Sequence, residues 1–151
     1  MKIIEGDIIH ARETFICHQT NCVSNRGAGL AAYLFKHFPW ADCYSERIDS
    51  VDNDEPGHID VRGDGAGERY VVNMMAQFYP GKTRFPDARE HYFKLCLIEL
   101  ISLSRGHRNS TFAFPWGIGC GLAGGDWKVY EEMLQEFAEK IGEDRVVIYK
   151  K

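Results

Sequence analysis

The chain has 151 residues, of which 44% are hydrophobic and 26% charged, the proportions of an ordinary soluble globular protein with enough apolar material for one domain core. Its formal net charge of −4 argues against a general binder of nucleic acid or membrane surfaces, since both attract a basic face. The cysteines, Cys17, Cys22, Cys43, Cys96 and Cys120, are odd in number and form no C-x-x-C pair, which argues against a disulfide framework or a zinc site and points to a reducing, cytoplasmic setting.

The opening "MKIIEGDIIHARETF" has no long apolar run and no signal-peptide anatomy. Within it "KII" (2–4) reads as a short strand. "TFICHQ" (14–19) reads as a buried strand. "GLAAYLFKHF" (29–38) places Leu30, Ala31, Leu34, Phe35 and Phe38 at helical spacing, and Pro39 ends it. A second short helix is expected in "WADCYSERI" (40–48). The polar stretch 48–71 reads as a hairpin-like excursion, with turns "NDEPG" and "GDGAGE" around a strand "HIDVR".

"RYVVNMMAQF" (69–78) has the apolar run of a central strand. "DAREHYFKLCLIELISLSRG" (87–106) reads as the longest helix, with Asp87 as N-cap and Gly106 as its stop. "STFAFPW" (110–116) is another strand, "DWKVYEEMLQEFAEKIG" (126–142) another helix, and "DRVVIYK" (144–150) a closing strand. Strands alternating with helices predict a three-layer α/β/α sandwich with a central mixed sheet.

Two segments share one form: strand, glycine-rich loop, helix. The first runs through Gly27, Ala28 and Gly29. The second, "WGIGCGLAGGDW" (116–127), carries five glycines in twelve positions. Small residues let main-chain N–H groups approach a ligand, and a helix N-terminus favours negative charge. Two such loops can hold both sides of a diphosphate. Neither is a P-loop or a G-x-G-x-x-G turn.

In order and spacing these stretches resemble the macrodomains, a family that binds ADP-ribose. "EGDI" (5–8), "CHQTNCVSNRGAGLA" (17–31) and "FPWGIGCGLAGGDW" (114–127) carry the likeness over nearly the whole chain. The run I-G-C-G-L before a tryptophan is most similar to the branch holding the terminal ADP-ribose–glutamate hydrolase and the yeast-type ADP-ribose 1″-phosphate phosphatase. The resemblance implies that Asp7 accepts from the adenine amino group with the Ile8 backbone beside it, and that Asn21 meets the distal ribose. It implies that Gly27, Ala28 and Gly29 line one side of the diphosphate, and Gly117, Ile118, Gly119, Cys120, Gly121 and Leu122 the other. Phe78 or Tyr79 would cover a sugar or base, and Tyr149 would lie near the adenine.

The implied function is binding of ADP-ribose, with hydrolysis of a derivative such as the 1″-phosphate, O-acetyl-ADP-ribose or an ADP-ribosylated protein or nucleic acid. The implied protein is a monomer that needs no cofactor, metal or membrane. The chain departs from the glutamate-hydrolase branch at two places. Gln77 stands where that branch has a lysine, and Ala123 where it has an aspartate after the glycine run. An amide cannot act as an amine nucleophile, which leaves a non-catalytic ADP-ribose reader as the alternative. The catalytic candidates are then Asn21 itself, together with His18, next to it, and Asp126, at the end of the second loop, for acid–base work. A core histidine and an ordinary N-cap are the competing readings. Cys120 lacks the C-x₅-R spacing of a phosphatase thiol. Lys82, Arg84 and Arg89 read together as an exposed basic loop.

Overall fold

The computed structural model describes residues 1–48 and 53–151. The part of the expected excursion at 49–52 lies outside the described residues. Six strands, β1 (Lys2–Glu5), β2 (Phe15–Asn21), β3 (Ile59–Gly63), β4 (Tyr70–Gln77), β5 (Phe112–Pro115) and β6 (Val146–Lys150), form one sheet in the order β1-β6-β5-β2-β4-β3. Five run parallel, and edge strand β3 pairs antiparallel with β4. The helices are α1 (Gly29–His37), α2 (Pro86–Gly106) and α3 (Trp127–Ile141). This is the expected three-layer sandwich around a mixed sheet.

Alternation along the central strands builds the layers. In β2, Phe15 and Cys17 enter the core under α2 and α3, while Ile16 enters the core under α1. In β4, Val72 and Met74 face the first core, Val71 and Met75 the second. Both faces are covered, so β4 and the first half of β2 read as nearly continuous apolar runs. Phe93 and Leu100 of α2 and Tyr130, Leu134 and Phe137 of α3 fill one side, and Leu34 and Phe35 of α1 fill the other.

Two local expectations are corrected. No α-helix forms in 40–48, where a 3-10 turn at Pro39–Ala41 is followed by irregular chain. Asp42 is the reason: its carboxylate accepts from the N–H groups of Tyr44 and Ser45 at 2.9 and 3.2 Å, an Asx turn that competes with helix. The helix expected from Asp87 starts one residue earlier. Pro86 takes the first position, where its missing N–H costs nothing, and Asp87 falls within the first turn.

The topology fixes where a ligand belongs. After β2 the chain goes to α1 on one face; after neighbouring β5 it goes to α3 on the other. The crevice beyond the carboxyl ends of β2 and β5 is a switch point, where open α/β sheets take their ligands. Both glycine loops leave the sheet there.

Candidate functional site

A cleft of about 560 Å³ lies at this switch point. Its walls come from the end of β2, the first loop and turn of α1, the segment after β4, and the second glycine loop. Neither an aspartate nor a glutamate is among the described residues that line it, and Arg26 is the one charged lining side chain among them. The volume suits a small organic ligand, and the missing carboxylates suit an anion.

The first wall owes its form to Asn21 and Gly27. A bulge between Thr20 and Asn21 shifts the β2–β4 register so that Asn21 stands opposite Gln77. Asn21 Oδ1 accepts from the N–H groups of Val23 (3.0 Å) and Ser24 (2.8 Å), and its own N–H donates to Tyr44 Oη at 2.8 Å. With Oδ1 committed to the loop, the amide keeps Nδ2 as its donor for the cleft. A Cβ on Gly27 would come within 2.7 Å of the Ala32 nitrogen, so this loop packs directly on the first turn of α1. Ala28 is the N-cap of α1 and has no side-chain oxygen to cap it, so the first N–H groups of the helix remain for a ligand. Ala28 and Gly29 line the cleft, whereas Gly27 lies behind the wall.

The second wall is a series of tight turns. Gly117, Gly119 and Gly124 have φ of +79°, +76° and +74°, the left-handed region that glycine occupies without strain. The turns spend the N–H groups of Ile118, Cys120, Gly124 and Gly125 on the carbonyls of Pro115, Gly117, Gly121 and Gly119. The N–H groups of Gly119, Gly121 and Leu122 have no main-chain partner among the described residues. Gly117, Ile118, Gly119, Gly121, Leu122 and Ala123 all line the cleft. Leu122 reaches over its mouth: a Cβ added at Gly29 would stand 3.0 Å from Leu122 Cδ1.

Several expected site residues lie elsewhere. His18 does not line the cleft. It is 1% exposed, its Nε2 is 2.5 Å from Asn73 Oδ1, and its ring meets Phe35 edge-on at 5.4 Å. Burial pulls its pKa down to about 4 against the opposing effect of the Asn73 contact, so at neutral pH it is an uncharged core histidine. Asp126 is exposed and caps α3, accepting from the Lys128 N–H at 3.1 Å. Asp126→Ala is expected to lower stability by about 1 kcal/mol, the usual value of such a cap, in urea denaturation.

Cys120 does not line the cleft either. Its Sγ contacts the Ile118 carbonyl at 3.3 Å, and burial pushes its thiol up to about 11, which leaves it unreactive at neutral pH. Asp7 and Ile8 stand beyond β1, off the cleft wall. Ile8 is a core side chain. Asp7 caps the 3-10 turn Ile8–His10 through the Ile9 N–H (3.2 Å) and also takes Tyr33 Oη (2.8 Å) and Lys151 Nζ (2.9 Å). Partial burial pushes its pKa up, but the hydrogen bonds from Lys151, Tyr33 and Ile9 prevail and hold it below the usual carboxylate value. Tyr149 Oη hydrogen-bonds Glu13. Phe78 packs against the α1-side core, and Tyr79 is 67% exposed.

Arg89 was expected in an exposed basic loop and is instead 7% exposed on α2, behind the cleft. Gln19 was not singled out in the sequence at all. Its Nε2 donates to Gln77 Oε1 at 2.7 Å, and both amides line the cleft. The only hint was a pair of amides at the ends of two apolar strands.

No known family profile matches the chain. It is 26% identical to an uncharacterized 17.5 kDa protein of the tk-vs intergenic region of Enterobacteria phage T4, over 93% of this chain and 92% of that one. Among solved structures it is similar to the macrodomain of Mycobacterium tuberculosis DarG, with a TM-score of 0.71 and 23% identity over 98% of this chain and 95% of that one. The macrodomain of Thermus aquaticus DarG gives 0.66 and 23%, over 99% and 95%. The fold is that of a macrodomain. A structure of Thermosipho africanus DarTG in complex with ADP-ribose is also similar, at a TM-score of 0.72 and 17% identity, over 99% of this chain and 41% of that one. Within the macrodomain fold of this chain, the cleft is bounded by neutral amides, hydroxyl side chains, Arg26, apolar side chains and the main chain of the two glycine loops. None of its described lining residues is a lysine, histidine, cysteine or carboxylate.

Proposed function

We propose that this protein binds ADP-ribose in the cleft between its two glycine loops. The observation that carries the reading is the pairing of those loops at the β2/β5 switch point. A helix N-terminus without a side-chain cap lies on one side, and Gly119, Gly121 and Leu122, whose N–H groups have no main-chain partner among the described residues, line the other. Main-chain donors on two sides suit a diphosphate. The Asn21 and Gln77 end then takes the distal ribose, and the Trp116 end lies toward the base. Titration calorimetry with ADP-ribose is expected to show binding; no heat at near-millimolar ligand would sink this reading.

Hydrolysis of an ADP-ribose derivative is a second reading, and Asn21 carries it. With its Oδ1 locked, its Nδ2 is fixed as a donor to a sugar hydroxyl or a water, and nearby main-chain N–H groups can stabilise developing negative charge. The I-G-C-G-L run (118–122) supports a place beside the glutamate-hydrolase and 1″-phosphatase branch, but Gln77 and Ala123 remove that branch's lysine and aspartate. Under this reading Asn21→Ala abolishes turnover of ADP-ribose 1″-phosphate or O-acetyl-ADP-ribose. Binding by the wild-type protein without turnover of either compound, or of ADP-ribosylated protein and nucleic acid, would make it a reader.

A further inference from the structure

Arg89 has no carboxylate partner among the described residues. Its guanidinium donates to three main-chain carbonyls: Tyr79 at 2.9 Å, Ala123 at 3.2 Å, and Gly81. Two of these belong to the segment that follows β4, and the third to the second glycine loop. One buried cation therefore ties together two walls of the cleft. Burial lowers its pKa, and a buried cation with no counter-charge is a costly way to stabilise a fold.

The Tyr79 carbonyl accepts a second hydrogen bond, from Gln77 Nε2 at 2.8 Å. A carbonyl cannot donate, so Gln77 must turn its NH₂ toward Tyr79 and its Oε1 toward Gln19. Gln19 must then give its NH₂ to Gln77, at 2.7 Å. Its own Oε1 is left beside Gly119, buried and without a partner among the described residues. An amide at the end of a strand could adopt either orientation. Here the orientation of two of them follows from a carbonyl that Arg89 holds in place.

We propose that Arg89 is a positioning residue for the cleft end lined by Gln19, Asn21 and Gln77. Through Tyr79 and Gln77 it makes that end selective for a ligand carrying the distal sugar of ADP-ribose over one that stops at the diphosphate. The inference rests on the ADP-ribose reading above. Arginine is required because its planar fork serves carbonyls in several directions at once; a lysine ammonium keeps the charge but not that geometry.

The test is calorimetric affinity for ADP-ribose and for ADP in the wild-type chain, Arg89→Lys and Gln77→Leu, with melting temperatures recorded alongside. The wild-type protein is expected to prefer ADP-ribose, and both variants to lower the ADP-ribose/ADP affinity ratio by about tenfold, the effect of one well-oriented hydrogen bond. A ratio within about twofold of wild type in either folded variant overturns the proposal, as does a wild-type protein that binds both ligands equally. If Arg89→Lys does not fold, an unchanged ratio in Gln77→Leu still overturns the proposal, since that substitution cuts the relay and leaves Arg89 untouched. Failure of the ADP-ribose reading looks different: the wild-type chain would bind neither ligand.

Discussion

Gly119→Ala is expected to lower stability by about 2–5 kcal/mol and to abolish ADP-ribose binding. Two independent strains add. The residue has φ of +76°, where an L side chain costs about 1–2 kcal/mol. Its new Cβ would also stand 2.6 Å from Tyr130 Cε2 and 2.9 Å from Gln19 Oε1. Tyr130 cannot yield, because it is 1% exposed and packed against Phe93 with ring centroids 4.8 Å apart; such overpacking costs about 1–3 kcal/mol. For a chain of this length the melting temperature should fall by roughly 4–20 °C. Binding suffers separately, because relief of either clash moves the Gly119 main chain, which lines the cleft. Gly121→Ala is the comparison: nothing lies within 4 Å of its added Cβ, so stability should stay within about 0.5 kcal/mol of wild type. Equal destabilisation by the two substitutions would refute the packing argument.

Acidification from pH 6.5 to pH 4 is expected to remove about 3 kcal/mol of stability through His18 alone. In the unfolded chain a histidine titrates near its ordinary pKa of about 6.5; in the folded protein burial pulls His18 down to about 4 despite the opposing Asn73 contact. Between those values the unfolded chain holds a proton that the folded chain does not, so stability rises with pH there. The contribution is complete above about pH 6.5 and declines as pH falls toward 4. His58 works in the opposite direction, since the Glu99 hydrogen bond raises its pKa, but it is mostly exposed and solvent screens the pair. Urea unfolding across pH 4–7 should therefore show a steep slope in the wild-type protein and a shallower one in His18→Gln. Parallel slopes would mean that His18 is not buried in its neutral form.

The uncharged state of His18 also bears on chemistry. A group whose pKa burial pulls down to about 4, and that is enclosed between Asn73 and Phe35, is neutral at neutral pH and is not placed to shuttle protons for a ligand in the cleft. The proximity of His18 to Asn21 in the chain was misleading because successive strand residues face opposite sides, so residues three apart in β2 point to different faces.

The alternation of strand and helix, the two glycine loops before α1 and α3, and the caps at Asp126 and Gly142 were legible in the sequence. Each depends on local chemistry: apolar period, the absence of a Cβ, or a side-chain oxygen one turn from a free N–H. The reversal of β3 onto β4 follows the hairpin signal of the turn "GDGAGE", whereas the order of the other strands and the meeting of the two loops across one crevice come from pairings between residues far apart in the chain, which no local pattern specifies. The same holds for the site. Gly119 announces itself because glycine has a distinctive conformational freedom. Arg89 does not, because its spacing in "PGKTRFPDAREHY" (80–92) is that of a surface cation. Only the packing of α2 behind the second loop brings three carbonyls to its guanidinium and makes it part of the cleft.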